Sequence, residues 1–474
     1  MFIEVTMINF KCFAFFLYLL MGTSFAGIEQ APPSFSTNGK KAVWVDFLKA
    51  KYDLTFNINN KRSKAVSVIE FEVIEKGFPI FDLSNSPSKV FINGVNYSQS
   101  EVSTPDRQSK VRVINKELSP GVYSLKIEST ISSGVKYGRK NVSVGFFMSD
   151  LKDRNFLEKY LPSNYEYDQY KMKVNIKING SSKSHLLYTN GSLIDKSYNS
   201  FNYEYPEYFT SSSLYFHLVP KNKFDSVQFS YQSRLSNGGS FPVTIYADSK
   251  RLIRKVKEKT VSVLRELEED YGPWPHPQLI IYADGYHKGG MEYAGATITG
   301  LKSVGHELQH SYFARFVMPS SGNAGWVDEA VASWRDDLEN RKDKLKNIRV
   351  RQTRSYNVAA NLGKQSVFKR VTDKRSYSNG SAFIFYIDNL LRQVPGKNFK
   401  KFLRIYFENR KATTITTKDF QSDLESYYGE TLIRSFNKYI YGSGSKKKSL
   451  NTNSEHNHND HHPILSDKEL MDLI

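Results

Sequence analysis

Two histidines four positions apart flank a glutamate in the run His306-Glu307-Leu308-Gln309-His310. On a helix, positions i and i+4 stand one above the other, so both imidazoles can aim at one point. Such a pair, with Glu307 one position along and able to reach a bound water, is the arrangement a zinc hydrolase needs. Eighteen residues separate His310 from Glu329, which stands in Trp326-Val327-Asp328-Glu329. Pro319-Ser320-Ser321-Gly322 between them supply the stop signals that let a second helix turn back and bring a carboxylate as third ligand. Two neutral imidazoles and one carboxylate leave zinc residual positive charge and an open position, which acidifies a bound water to a pKa of about 7. Glu307 is then the base that takes the proton and the acid that returns it to the leaving amine.

The elements that position these residues are legible on either side. Upstream, Gly289-Gly290-Met291-Glu292-Tyr293 leads into the β-prone Ala296-Thr297-Ile298-Thr299. Downstream, Tyr377-Ser378-Asn379-Gly380 opens another helix. Together the four segments resemble the aminopeptidase N (membrane alanyl aminopeptidase) family of gluzincin zinc metallopeptidases. That family's pattern is a G-x-M-E-N strand, H-E-x-x-H, a glutamate within W-x-N-E, and a tyrosine in Y-x-K-G. Here Tyr293 and Asp328 stand where the family has Asn, and Asn379 where it has Lys. Only 13 residues separate Glu292 from His306, fewer than the family uses.

The resemblance implies a multidomain α and β fold: an N-terminal all-β sandwich, saddle-shaped, then a thermolysin-like, mainly helical catalytic domain. It implies one Zn2+ per chain on His306, His310 and Glu329, with Glu307 as general base and acid. Tyr377 would donate a hydrogen bond to the oxyanion. Gly290, Met291 and Glu292 would bind an extended peptide, Glu292 meeting its α-ammonium. Asp336, at i+7 from Glu329, lies on the same helix face and matches an acidic position in the family, so it is placed to orient an imidazole. The family's second anchoring residue, a glutamine or glutamate of the β-domain, finds no match near Phe146 to Arg154.

The rest of the chain fits this plan. Met1 to Ala26 reads as a secretory signal peptide, with an apolar run from Cys12 to Met21 and small residues before Ala26. Cys12, the only cysteine, falls inside it, so the exported chain has no thiol chemistry. No later stretch offers about 18 uncharged apolar residues, so no transmembrane anchor is expected. Residues 27–41 read as a linker. From 42 to 247 the period is two, as in Tyr52, Leu54, Phe56 and Ile58, or Met172, Val174, Ile176 and Ile178, with hairpin signals at Asn93-Gly94, Asn179-Gly180 and Asn190-Gly191. The period turns helical at Asp248, and helical patterns dominate to residue 444. Residues 445–474 form a polar tail with His456, His458, His461 and His462, read as disordered.

A formal charge of +18 is spread along the chain instead of gathered in one run. With no nucleic-acid motif beside it, this excludes a nucleic-acid binder and points to solubility and weak attraction to anionic envelope surfaces, periplasmic or extracellular. The sequence reads as an exported peptidase, foremost an aminopeptidase acting on short peptides. An endopeptidase or other hydrolase on the same zinc site fits the same motifs, as does a peptide-binding module whose catalysis has decayed.

Overall fold

The computed structural model describes residues 31–149, 156–286, 289–319, 324–340, 366–368 and 373–442. The segments expected to be a signal peptide and a His-containing tail lie outside these residues. The N-terminal half is a β-domain built on an eight-stranded sheet. At its centre strand Asp46–Asn57 pairs antiparallel with Arg62–Val73 and parallel with Lys171–Asn179. The period of two is the cause: Ala50, Tyr52, Leu54 and Phe56 face the core while Lys51, Asp53 and Thr55 between them are more exposed. Five-stranded and four-stranded sheets complete this half.

Three sequence expectations are modified here. The linker expected at 27–41 already contains structure: Phe35–Thr37 pairs with Lys40–Val43 across Asn38 and Gly39, both at positive φ. Phe35 and Ala42 bury there against Ile80 and Val113, a partnership no local pattern reveals. Asn93-Gly94 closes a hairpin, Val90 to Ile92 returning as Val95-Asn96, whereas at both Asn179-Gly180 and Asn190-Gly191 the chain passes from one sheet to another. The domain boundary expected at 247/248 also falls earlier. Strands β1 (Asp225–Gln232) and β2 (Ser240–Ala247) belong to the sheet of the second domain. Alternation identifies a strand without saying which sheet receives it.

That second sheet contains β1, β2, β3 (Leu279–Ala283), β4 (Gly290–Tyr293) and β5 (Ala296–Thr299) in the order β1-β2-β3-β5-β4. It separates two cores. One face, with Tyr246, Ile280, Tyr282, Met291, Tyr293 and Ile298, packs on the β-domain. The other, with Val243, Ile245, Leu279 and Ile281, packs on helices. Those helices are α1 (Lys250–Tyr271), α2 (Val304–His310), α3 (Trp326–Asn340), α4 (Ser381–Leu391), α5 (Phe399–Arg410), α6 (Thr417–Tyr428) and α7 (Ile433–Tyr439). The 22 residues of α1 bury Ile253, Val256, Val263, Leu264 and Leu267, the face its i, i+3, i+4 spacing dictates, and Ser249 caps its first turn. Among the described residues no helix is long and apolar enough to cross a membrane.

The β-domain buries one acid beside a second carboxyl. Asp168 is fully buried, accepting hydrogen bonds from the Phe47 amide (3.0 Å) and the Asn164 amide group (2.7 Å). Burial, then the neighbouring Asp46 carboxyl, raise it well above the usual carboxylate range. A raised acid stabilises the fold below its unfolded pKa of about 3.9, and that contribution is lost as pH rises through the folded value. Asp168→Asn keeps an acceptor oxygen and removes the charge. Its melting temperature should exceed the parent's at pH 7 and match it near pH 4, as read by thermal denaturation at the two pH values. An equal difference at both would show that the carboxyl is not the cause.

Candidate active site

The metal helix α2 follows β5 after one turn, and all seven of its residues are buried. The neighbouring α3 is anchored by two tryptophans. Trp326 packs on Phe383 and Phe420, and its indole N–H donates to Thr417 Oγ1 (3.2 Å); Trp334 packs on Phe385 and Phe399. Glu329, one turn in, is thereby held toward α2. Residues 376–380 form a wide-wound turn whose Gly380 lies where a Cβ would press on Ala330. Only glycine lets this turn approach α3 closely enough to bring Tyr377 to Glu329.

The three ligand candidates converge. His306 Nε2 and His310 Nε2 lie 3.3 and 3.5 Å from Glu329 Oε2. Donors each about 2.05 Å from a tetrahedral zinc stand roughly 3.3 Å apart, so this spacing fits the ion. The other His306 nitrogen, Nδ1, is 2.7 Å from Asp336 Oδ2. That contact leaves the ring with Nε2 beside Glu329. Tyr377 Oη donates to Glu329 Oε1 at 2.8 Å. The phenol is thereby held by the carboxylate of the third ligand candidate.

The electrostatics agree with a site made for a cation. Burial opposes protonation of both imidazoles, yet Asp336 and Glu329 raise His306 well above its ordinary value, and Glu292 and Glu329 raise His310 to about 9. Burial likewise opposes ionisation of Glu329, and the two histidines outweigh it, holding that carboxyl well below its usual range. Glu307 is pushed up by burial to about 8, whereas Glu292 and Glu329 are held below their usual range, and the raised value suits a proton acceptor working near neutrality. A Cβ at Gly290 would overlap its carboxylate, so β4 can lie against Glu307 only as glycine.

Gly290, Met291 and Glu292 lie on β4, the edge strand of the sheet, and all are buried. Tyr293, where the resembled family has Asn, has its phenol oxygen accepting the Met148 amide N–H (3.1 Å), which ties this strand to the β-domain. Glu292 has a partner that sequence reasoning missed: Arg315 Nη2 donates to its Oε1 at 2.7 Å, and Arg315 Nη1 donates to Ser212 Oγ at 2.7 Å. A signal existed, since an arginine inside the apolar run Tyr312-Phe313-Ala314-Arg315-Phe316-Val317 requires a buried partner.

Two converging histidines, a distal glutamate and a buried acid beside them, set between an edge strand and a helical domain, define a zinc metallopeptidase. Residues 300–439, which hold all three ligand positions, match the peptidase family M1 domain. The fold agrees. An M1 zinc metallopeptidase from Deinococcus radiodurans superposes with a TM-score of 0.61 over 88% of this chain and 98% of its own, at 15% identity. A mutant form of that protein bound to a Tyr-Ser-Ala substrate gives 0.61 at 16% identity, over the same shares of the two chains. Yeast LTA4 hydrolase in complex with bestatin gives 0.59 over 86% of this chain and 69% of its own, at 14% identity.

Proposed function

We propose that this chain is an exported aminopeptidase that removes residues from the N-termini of short peptides. The observation that carries the reading is the junction of β4 with the metal centre: an edge strand able to pair with an extended peptide, a glutamate on it, and Gly290 lying against the general base. The Deinococcus protein's Tyr-Ser-Ala complex supports a peptide as substrate. Export rests on the apolar leader at Met1 to Ala26, and the charge of +18 favours weak association with anionic envelope surfaces.

A zinc ion held by His306, His310 and Glu329 would supply Lewis-acid chemistry, acidifying a water molecule and polarising the scissile carbonyl. Glu307 accepts the proton of the attacking water and delivers it to the leaving amine. Gly290 leaves room for its carboxylate against β4, which places it for that cycle. Tyr377 turns its hydroxyl from Glu329 Oε1 to the oxygen that gains charge, a short move for a phenol already beside a ligand. Asp336 holds the His306 ring through both steps.

Sequencing the products tests the specificity. Unblocked penta- to octapeptides should shorten one residue at a time from the N-terminus; internal cuts as the first products would replace this reading with an endopeptidase. Tyr377→Phe should lower kcat by about 10²-fold and leave KM nearly intact, since an oxyanion donor acts in the transition state. A change confined to KM in steady-state kinetics would make Tyr377 a binding residue.

A further inference from the structure

We infer that Arg315 is a specificity-determining residue, which weakens the site's selection for a free peptide N-terminus by occupying the carboxylate that would hold the α-ammonium. The inference rests on the peptide-binding role of β4 proposed above and concerns how strictly that strand reads its ligand. Glu292 is the acid on the strand, and one of its oxygens, Oε1, is committed to Arg315 Nη2. The guanidinium is built in: Arg315 is 1% exposed, its backbone N–H donates to the His310 carbonyl at 3.0 Å, and Nη1 is held by Ser212 Oγ. Ser212 stands in Thr210-Ser211-Ser212-Ser213, a buried segment of the β-domain tied by hydrogen bonds among its own hydroxyls. The Ser213 carbonyl also accepts the Ala294 amide at the end of β4. Strand, arginine and β-domain segment are therefore one unit, and the guanidinium cannot swing aside when a peptide arrives.

The consequence is electrostatic. Glu292 and Arg315 together carry no net charge. An ammonium on the remaining side of the carboxylate would sit about 2.8 Å from an oxygen and roughly 5 Å from the guanidinium. Because Coulomb energy falls as the reciprocal of distance, the repulsion cancels roughly half of the attraction. A buried carboxylate with no cation beside it would prefer a free amine by about ten- to a hundredfold. This site should show less, no more than about tenfold.

The test uses the zinc-loaded full chain carrying Glu307→Gln, so that binding is read without turnover. Calorimetric Kd values of trialanine and N-acetyl-trialanine should lie within about tenfold of each other. Adding Arg315→Gln should tighten trialanine by about tenfold or more and leave the acetylated peptide unmoved, while Arg315→Lys should keep the parent ratio. More than hundredfold preference for trialanine with Arg315 in place overturns the inference, as does an unchanged ratio in Arg315→Gln. If Arg315→Gln leaves Glu292 unpaired and the chain unfolded, the parent ratio alone decides. Failure of the zinc-loaded wild type to hydrolyse either peptide, with these ratios still as expected, would sink the peptidase reading and not this one.

Discussion

Glu307→Gln should retain a full complement of zinc and lose turnover by on the order of 10⁴-fold, the upper end of what a positioned acid and base supplies. The amide fits the space against Gly290, because it matches the carboxylate in size. It cannot take a proton. Glu307 is not among the three converging donors, so metal content should be unaffected. Elemental analysis and initial rates on the same preparation separate the two effects. Retained turnover would place the base elsewhere, and loss of zinc would make Glu307 a structural part of the site.

The second large effect belongs to Glu329→Ala. Its carboxylate is the point to which both imidazoles converge, at 3.3 and 3.5 Å, and it also accepts the Tyr377 hydrogen bond. Removing it leaves two donors where a closed set needs three protein ligands. Zinc should fall below about a tenth of an equivalent per chain after dialysis, and peptide hydrolysis should vanish with it. Full zinc occupancy in this variant would sink the ligand assignment. Asp336, by contrast, acts through His306, and its loss should weaken zinc binding by about ten- to a hundredfold without abolishing it.

Much of this centre is legible in the sequence because its chemistry is written at short range. The i, i+4 histidines need only one helix, and α2 provides it at Val304–His310. Glu329 needs one more element, α3, but the expected stop signals do not end the metal helix: α2 already stops at His310, Pro319 belongs to a short strand Val317–Pro319, and 320–322 lie outside the described residues. Alternation likewise exposes the core strands of the β-domain, where Tyr52, Leu54 and Phe56 face inward. What stays hidden depends on contacts distant in sequence. The pairing of β2 with β3 crosses α1, so residues 225–247 look like the end of the first domain. Arg315 meets Ser212, more than a hundred positions away, and no local pattern links them. The tight approach of Gly290 to Glu307 is of the same kind: a glycine in a strand suggests a close neighbour without naming it.

The central claim is that His306, His310 and Glu329 hold one zinc on which peptide hydrolysis depends. Zinc titrated back into chelator-stripped protein, with metal content and hydrolysis of an unblocked peptide read at each addition, tests it most directly. The account predicts that activity rises in proportion to bound zinc and saturates at one equivalent per chain. Full activity in stripped protein, or a plateau reached with no zinc bound at this centre, would contradict it.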